Sequence, residues 1–321
     1  MIGLAISVNR RALNVIEEII EKKDDLAIKV DKAENGSTII DLGINAQGGF
    51  MAGKYATDVC LGGYGETSLS YSDNNDLPLP KIFVSTNYPA ISLLGSQFAG
   101  WRISVEKYFA MGSGPARALP MKPKELYAKI GYQDSADSAV IVLETDEIPP
   151  VDALEYISKE CKVNSDKLFV LLTPTSSIAG STQISGRIVE TGLHRIVELG
   201  LDPSKVLYGC GQAPIAPLHP KATKAMGRTN DMIMYGGETY FVVDQEDDEE
   251  LAKLVEKAPS SYSQAYGKPF YNIFKEANFD FYKIDPGLFS PAAITVNNMR
   301  TGKSFRAGQV NVNIVKESVG L

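Results

Sequence analysis

Four polar side chains recur at helical spacing within residues 183–199, a segment that is also rich in aliphatic residues. They are Gln183, Arg187, Glu190 and His194. At about 100° per residue they fall within about 60° of one another on a single helix. Aliphatic residues occupy most of the remaining circumference, so we predict that this narrow polar stripe faces an enclosed, hydrated cavity. A carboxylate placed there could act as a general base, and a neighbouring guanidinium would favour its ionised form.

A structural ion pair is the alternative interpretation of Arg187 and Glu190. An i,i+3 pair on an exposed helix contributes only about 0.2–0.5 kcal/mol. When such a pair is buried, a hydrophobic replacement is often at least as stable. Stability alone therefore explains the pair poorly. We favour binding or catalysis, and the structural alternative stays open at this point.

The segment before this helix is rich in hydroxyl groups. Thr175, Ser176 and Ser177 follow a predicted buried strand that ends near residue 173. Backbone N–H groups at a helix N-terminus suit an anionic ligand group such as phosphate or carboxylate. The segment lacks both the GxxxxGK[ST] spacing of a nucleotide P-loop and the GxGxxG of a dinucleotide fold. A plain linker has a similar composition, so that interpretation also stays open.

A second candidate loop is "FAMGSGPARALPMKP", residues 109–123. Ser113 and Gly114 could bring backbone donors close to a ligand, and Arg117 could meet an anion. A tight turn before a helix, with Pro115 at the first helical position, fits the same residues. The sequence does not decide between the ligand loop and the turn.

The elements that must position these residues have the pattern of a layered α/β protein with mixed sheets. Residues 138–145 and 167–173 are continuous apolar runs, typical of central strands covered on both faces. Residues 151–161 between them predict a helix, and so do residues 9–23, with Asn9 as the expected cap. The acidic run 244–250 is interpreted as the solvated start of another helix, because its acids precede lysines as the helix dipole favours.

One internal similarity suggests how the chain is organised. The segments "GKYATDVCLGGYGET" (53–67) and "GRTNDMIMYGGET" (227–239) share a Gly-basic start, an Asp, an apolar trio and a Gly-Gly turn before Glu-Thr. An ancient duplication with two similar lobes and a coincidence of glycine-rich turns explain this equally well. We predict a first lobe over residues 1–155 and a second over 156–321, with the two intertwined.

Composition excludes several classes of function. The 321 residues carry a net charge of −7 without a clustered basic tract, so we expect no nucleic-acid partner. No signal peptide is recognisable, and no apolar stretch approaches the roughly 20 residues that span a bilayer. Three isolated cysteines predict free thiols in a reducing compartment, hence the cytoplasm. With two histidines and no paired cysteines, we expect no metal site.

Four segments of the chain, in this order, resemble the methenyltetrahydromethanopterin cyclohydrolase family. They are "FAMGSGPARAL", "PTSSIAGSTQISGRIVETGLH", "MGRTNDMIMYGGE" and "FYKIDPGLFSPAAITVNN". The resemblance runs through nearly the whole sequence. It implies a cytoplasmic enzyme of archaeal one-carbon metabolism and methanogenesis. The enzyme would be a homotrimer whose α/β subunits each have two lobes with a pocket between them.

The resemblance also implies the reaction and the residues that carry it. N5,N10-methenyl-tetrahydromethanopterin and water are interconverted with N5-formyl-tetrahydromethanopterin and a proton, without a cofactor, since tetrahydromethanopterin is the substrate carrier. The family's catalytic arginine and glutamate lie three residues apart, which matches Arg187 and Glu190. Substrate contacts are expected at Gln183 and, at the edge of the pocket, His194, and in the two candidate loops at Thr175, Ser176, Ser177, Ser113, Gly114 and Arg117.

Two other functions stay compatible with the residues. A hydrolase of another phosphate-bearing small molecule would use the two loops without requiring this spacing of Arg187 and Glu190. A non-catalytic pterin-binding protein would bind the substrate and leave the methenyl group intact. Turnover of the methenyl compound separates both alternatives from the cyclohydrolase.

Overall fold

A computed structural model describes residues 6–71 and 77–321. These residues form ten α-helices: α1 Val8–Glu21, α2 Phe50–Cys60, α3 Lys124–Ile130, α4 Val151–Cys161, α5 Ile178–Ser185, α6 Ile188–Glu198, α7 Ala222–Met234, α8 Asp248–Glu256, α9 Phe270–Glu276 and α10 Val312–Val319. They also form twelve strands: β1 Lys29–Lys32, β2 Thr38–Asp41, β3 Gly65–Tyr71, β4 Pro80–Thr86, β5 Trp101–Val105, β6 Tyr108–Ser113, β7 Ala139–Glu144, β8 Leu168–Leu172, β9 Val206–Pro214, β10 Glu238–Val243, β11 Ala293–Asn298 and β12 Ser304–Gly308. The α/β class predicted from the sequence is confirmed.

The chain divides into two compact units that are each built from two stretches of sequence. The first unit contains Met1–Glu66 and Ala90–Gly180, and the second contains Thr67–Pro89 and Ser181–Leu321. The predicted boundary between residues 155 and 156 instead falls inside α4, which belongs wholly to the first unit. The division differs from the predicted lobes because β3 and β4 leave the first stretch to join a sheet whose other strands lie far along the chain.

The first unit is built on a mixed six-stranded sheet in the order β1-β2-β8-β7-β6-β5. Its centre is parallel, with β8 paired to β2 on one side and to β7 on the other. Successive residues of β7 enter different cores: Val140 packs in the cluster that contains Ile16 of α1, and Ile141 packs in the cluster that contains Leu154 of α4. The prediction that residues 138–145 and 167–173 form central strands is therefore confirmed.

The second unit contains a six-stranded sheet in the order β12-β11-β10-β9-β4-β3. It is also mixed, because β10 is parallel to β11 and antiparallel to β9. Along each central strand buried and accessible residues alternate, as in a sheet with one covered face. Phe241 of β10 is fully buried on the covered side, whereas Phe83, Tyr208 and Tyr240 are 39%, 49% and 41% exposed on the other. This open face is aromatic.

The N-terminal cap of α1 is a serine and differs from the predicted cap. Helix α1 begins after Ser7, whose hydroxyl accepts a hydrogen bond from the backbone N–H of Arg10. The expected cap, Asn9, is instead fully buried, and its side chain donates to Asp134 and accepts from the backbone N–H of Val140. The prediction for Asn9 was wrong because its amide serves a long-range contact.

The acidic run 244–250 does begin a helix, as predicted. The Asp247 carboxylate accepts hydrogen bonds from the backbone N–H groups of Glu249 and Glu250, at 2.8 and 3.0 Å. Helix α8 follows with three acidic residues in its first turn and Lys253 in its last. This distribution of charge matches the helix dipole.

The two similar sequence segments adopt the same local structure. Each contains the end of a helix, a glycine turn and the start of a strand: α2 leads to β3, and α7 leads to β10. However, β3 and β10 are strands of the same sheet, one at its edge and the other inside it. A duplication into two lobes would place them in equivalent positions of two sheets, so their placement does not support it.

The structure also shows the state of the cysteines and was searched for membrane-spanning helices and metal-binding clusters. Cys60, Cys161 and Cys210 are free thiols, as predicted. Across residues 6–71 and 77–321 we find no helix that has both the length and the apolar character needed to cross a bilayer. The same residues contain no group of three or more His, Cys, Asp or Glu side chains that could hold a metal ion.

Candidate active site

The helix predicted through residues 183–199 is two helices joined by a tight turn. Helix α5 ends at Ser185, and α6 begins at Ile188 with Arg187 as its N-terminal cap residue. At the junction the Arg187 N–H bonds to the carbonyl of Ile184, three residues back, instead of four. Gly186 lies at this point and lowers the helical preference of the segment by about 1 kcal/mol relative to alanine. The single-helix prediction was wrong, although Arg187 keeps right-handed helical backbone angles between the two helices.

Three members of the predicted stripe are buried and the fourth is not. Gln183, Arg187 and Glu190 are 1%, 9% and 6% exposed. The side chain of His194 is 34% exposed and lies 3.9 Å from the carboxylate of Glu198. The enclosed part of the stripe is therefore Gln183, Arg187 and Glu190, and the edge position expected for His194 stays a prediction.

Glu190 lies in the first turn of α6, three residues after the cap residue Arg187. The N-terminal end of a helix carries a partial positive charge from its unbonded N–H groups, and this charge stabilises a carboxylate. The dipole of its own helix therefore acts on the side chain of Glu190.

Glycines of the second sheet allow the first turn of α6 to lie directly on the strands. A Cβ added at Gly237 would overlap the side chain of Ile188, and a Cβ at Gly211 would come within 3.2 Å of Val189. Gly211 lies in strand β9. The absence of side chains at Gly211 in β9 and at Gly237 just before β10 lets the first turn of α6 approach the sheet closely.

Two serine hydroxyls hydrogen-bond the second half of α5 to the backbone of residues 214–216. Ser181 donates to the carbonyl of Ala216 at 2.8 Å, and Ser185 donates to the carbonyl of Pro214 at 2.7 Å. Gln183 is two residues from each serine, so at about 100° per residue it points to the opposite side of the helix. Among residues 6–71 and 77–321, neither the Nε2 nor the Oε1 of Gln183 has a hydrogen-bond partner.

The hydroxyl-rich segment 175–177 is occupied by contacts within the first unit. Ser177 accepts from the Gly180 N–H and donates to the carbonyl of Pro174, so it caps the start of α5. The hydroxyl of Thr175 donates to the carboxylate of Glu144. Ser177 is therefore structural, whereas Thr175 is half-buried and Ser176 is exposed.

A cavity of about 400 Å³ next to this segment has the wrong charge for the predicted anion. It is lined by Lys107, Phe109, Glu144, Thr145, Asp146, Glu147 and Thr175. The Ser176 hydroxyl also lies 3.5 Å from Asp146. Three carboxylates against one lysine disfavour a phosphate or carboxylate ligand, so the expectation of an anion site at Thr175 and Ser176 is not supported.

The second candidate loop is built around a fully buried arginine. Arg117 donates to the backbone carbonyls of Leu94, Ser96 and Lys122 and has no solvent exposure. Gly114 has φ +94°, a conformation that favours glycine, and Ser113 is 2% exposed. The prediction that Arg117 meets an anionic ligand conflicts with this placement, because the guanidinium holds the loop together from inside.

Another buried acid lies outside the stripe, on helix α7. Asp231 of α7 is fully buried, and it accepts hydrogen bonds from the Phe270 N–H at 2.8 Å and from the Ser318 hydroxyl at 2.5 Å. Burial raises the pKa of Asp231 to about 7, and the nearby charge of Glu317 acts in the same direction. These contacts fasten α9 and α10 to α7, which gives the acid a structural role.

Comparison with known proteins gives one consistent result. The family model described as "Cyclohydrolase (MCH)" matches residues 7–319. Proteins named methenyltetrahydromethanopterin cyclohydrolase are 50% identical over 319 residues in Methanothermobacter thermautotrophicus and 50% identical over 316 residues in Methanococcoides burtonii. The protein of that name from Methanocaldococcus jannaschii is 46% identical over 318 residues. These alignments cover 98% of this chain and 100%, 99% and 98% of the respective relatives.

Proposed function

The chain belongs to the methenyltetrahydromethanopterin cyclohydrolase family, and from this premise we propose that Glu190 and Arg187 carry its reaction. The enzyme interconverts N5,N10-methenyl-tetrahydromethanopterin and water with N5-formyl-tetrahydromethanopterin and a proton. The observation that supports the assignment is a buried guanidinium at the N-terminal cap and a buried carboxylate in the first turn of one helix. Archaeal one-carbon metabolism, including methanogenesis, is the setting of this reaction.

The chemistry of the substrate determines what the protein must supply. The methenyl carbon lies between two nitrogens that share a positive charge, so it is already electrophilic. It lacks a positioned water molecule and a group to accept that water's proton. We therefore propose that the reaction needs no metal or added cofactor, because the substrate carries its own activation.

Glu190 is proposed to act as the general base. Its carboxylate holds the attacking water and takes one proton as the oxygen bonds to the methenyl carbon, which gives a neutral hydroxyl adduct. A positioned general base generally contributes about 10²–10⁴-fold in rate. The helix N-terminus beneath it favours the ionised form that this step requires.

Collapse of the adduct completes the reaction. The bond from the carbon to N10 breaks as the carbonyl forms, and the formyl group remains on N5. Protonated Glu190 returns its proton to N10, and the proton of the adduct hydroxyl is released to solvent. The balance is one water consumed and one proton produced.

Arg187 is proposed to orient Glu190 and the water. A guanidinium presents several N–H donors in a fixed plane, so it can bind a carboxylate oxygen and still donate to water or to the forming carbonyl. If Arg187 bound only the Glu190 carboxylate, it would lower the proton affinity of that carboxylate and make Glu190 a weaker base. We therefore expect Arg187→Lys, which keeps the charge and loses the planar fork, to recover only part of the activity lost in Arg187→Ala.

The test compares wild type with Glu190→Gln, following the loss of the methenyl chromophore in near-neutral buffer. We expect turnover to fall by about 10²-fold or more with Glu190→Gln, while substrate binding and folding persist. Glu198→Gln is the matched control, since Glu198 lies on the same helix and is partly exposed. Near-native turnover by Glu190→Gln would remove Glu190 as the base. If wild type binds the methenyl substrate without turning it over, the protein is a pterin-binding protein. If wild type neither binds nor turns over this compound, its substrate is a different one.

Further proposals concern the substrate contacts and the assembly of the protein. Gln183 and His194 are proposed as substrate contacts, because their spacing in the sequence relates them to Arg187 and Glu190 at helical intervals. The buried Arg117 is not retained as a contact. The exposed aromatic face of the second sheet is compatible with a homotrimer, which light scattering would test, and the free thiols are compatible with the cytoplasm.

A further inference from the structure

A small open cavity in the second unit gathers basic side chains. Its volume is about 170 Å³, and the residues that line it include His219, Lys224, Arg228, Tyr271 and Asn272. Pockets that enclose a whole drug-sized ligand are larger, roughly 300–1,000 Å³. The cavity therefore suits one chemical group, either free or at the end of a longer molecule.

The cavity carries positive charge that the protein does not neutralise. In the described part of the chain, neither Lys224 nor Arg228 forms an ion pair with a carboxylate. The Lys224 ammonium lies 5.5 Å from the centre of the Tyr271 ring, which attracts a cation without cancelling its charge. Glu317 adds one negative charge to the lining, so two permanent cations leave it positive in a chain of net charge −7.

Arg228 is held in a fixed position by backbone carbonyls. Its Nε and Nη2 donate to the carbonyls of Ser318 and Val319, at 3.2 and 3.3 Å. Its Nη1 donates to the carbonyls of Pro217 and Leu218, at 3.3 and 2.9 Å. These contacts join α7 to the end of α10 and to the loop before His219. The positive charge of the guanidinium is thus in place before a ligand binds.

His219 supplies a neutral donor beside these charges. Its Nδ1 accepts a hydrogen bond from the backbone N–H of Lys221 at 2.9 Å, so the proton of the neutral ring lies on Nε2. Desolvation and the nearby charges of Arg228 and Lys224 lower the pKa of His219, which keeps the ring neutral near pH 7. The ring therefore offers an N–H to a ligand.

We propose that this cavity binds a phosphate group, with the Lys224 ammonium, the Nε2–H of His219 and the Asn272 amide as donors and Arg228 as a fixed positive charge. A phosphate accepts hydrogen bonds from several directions, and lysine binds it as a point charge. The group can be free phosphate or a phosphate ester on a larger molecule, such as the substrate. The site is separate from Glu190, so it does not depend on the reaction proposed there.

Calorimetric titration of the full chain with inorganic phosphate at low ionic strength tests the proposal. Lys224→Gln removes the charge and keeps a good helix former, so it should fold like wild type and bind phosphate about tenfold more weakly. His219→Asn should also bind more weakly, because asparagine can accept from the N–H two residues on but lacks the Nε2 donor. Lys253→Gln, at an exposed lysine of α8, is the matched control and should bind like wild type.

The kinetics of the methenyl substrate identify the source of the phosphate. A raised KM with unchanged kcat in Lys224→Gln would assign the site to a phosphate ester on the substrate. An unchanged KM with weaker phosphate binding would assign it to free phosphate. Equal phosphate affinity in wild type and Lys224→Gln, or an equal loss in Lys253→Gln, would overturn the proposal. So would the absence of phosphate binding by wild type together with an unchanged KM.

Discussion

Replacing Asp231 by asparagine should make the protein relatively more stable as the pH rises. The carboxyl is enclosed between α7, α9 and α10, and burial raises its pKa from an ordinary 3.8 to about 7. Asparagine resembles the neutral acid. Its carbonyl can accept from the Phe270 N–H, and its amide can meet the Ser318 hydroxyl, so both contacts survive the change.

The size and sign of the effect follow from proton linkage. In the unfolded chain Asp231 releases its proton near pH 3.8, whereas the folded protein retains it up to about pH 7. The folded state therefore binds more protons between these values, and its free energy of unfolding falls as the pH rises through that window. At about 1.36 kcal/mol for each tenfold change, wild type loses up to about 4 kcal/mol that Asp231→Asn does not lose.

The assay is urea denaturation of both proteins at several pH values from 4 to 8, followed by circular dichroism. Other acids titrate in this range, so the informative quantity is the difference in unfolding free energy between Asp231→Asn and wild type. We expect this difference to increase in favour of Asp231→Asn up to about pH 7 and then to level off. A difference independent of pH would refute the reasoning, because it would mean that Asp231 titrates normally in the folded protein.

Two further predictions concern packing. Gly237→Ala should destabilise the protein by about 1–3 kcal/mol and reduce turnover, since its Cβ would overlap Ile188 in the first turn of α6. Gly49→Ala is the control, because nothing lies within 4 Å of a Cβ at that position. Equal thermal midpoints for the two variants would contradict this explanation. Arg117→Lys should lower the unfolding free energy by about 2–5 kcal/mol while leaving KM unchanged, because the single ammonium nitrogen of lysine cannot replace the two guanidinium nitrogens that donate to the three carbonyls. The exposed Arg10→Lys is its control, and a raised KM in folded Arg117→Lys would restore the ligand role.

Elements with a strong local pattern were predicted well from the sequence. The apolar runs at 138–145 and 167–173 became β7 and β8, and residues 151–161 became α4. The division into units was not predictable in the same way. It depends on β3 and β4 joining a sheet whose other strands lie far along the chain, and hydrophobic periodicity describes only neighbouring residues.

The candidate site was predictable in its residue types and less so in its geometry. The spacing of Gln183, Arg187 and Glu190 identified three side chains that are buried. It did not reveal the turn at Gly186, because a glycine in a helical pattern is compatible with either a continuous or an interrupted helix. Arg117 was misjudged for a related reason: a loop arginine has the same sequence signal whether it faces ligand or its own backbone carbonyls.

The discontinuous second unit has a consequence for synthesis of the protein. All strands of the first sheet have been made by residue 172, and at that point β4 has been made while its partner β9 has not. The chain must grow by about 130 residues between the end of β4 and the end of β9, which takes roughly 6–25 s at ribosomal rates of about 5–20 residues per second. During that interval β4 has an unfilled pairing edge and an aromatic side chain at Phe83. Ribosome-bound intermediates between these lengths should therefore be the form of this protein most prone to aggregation.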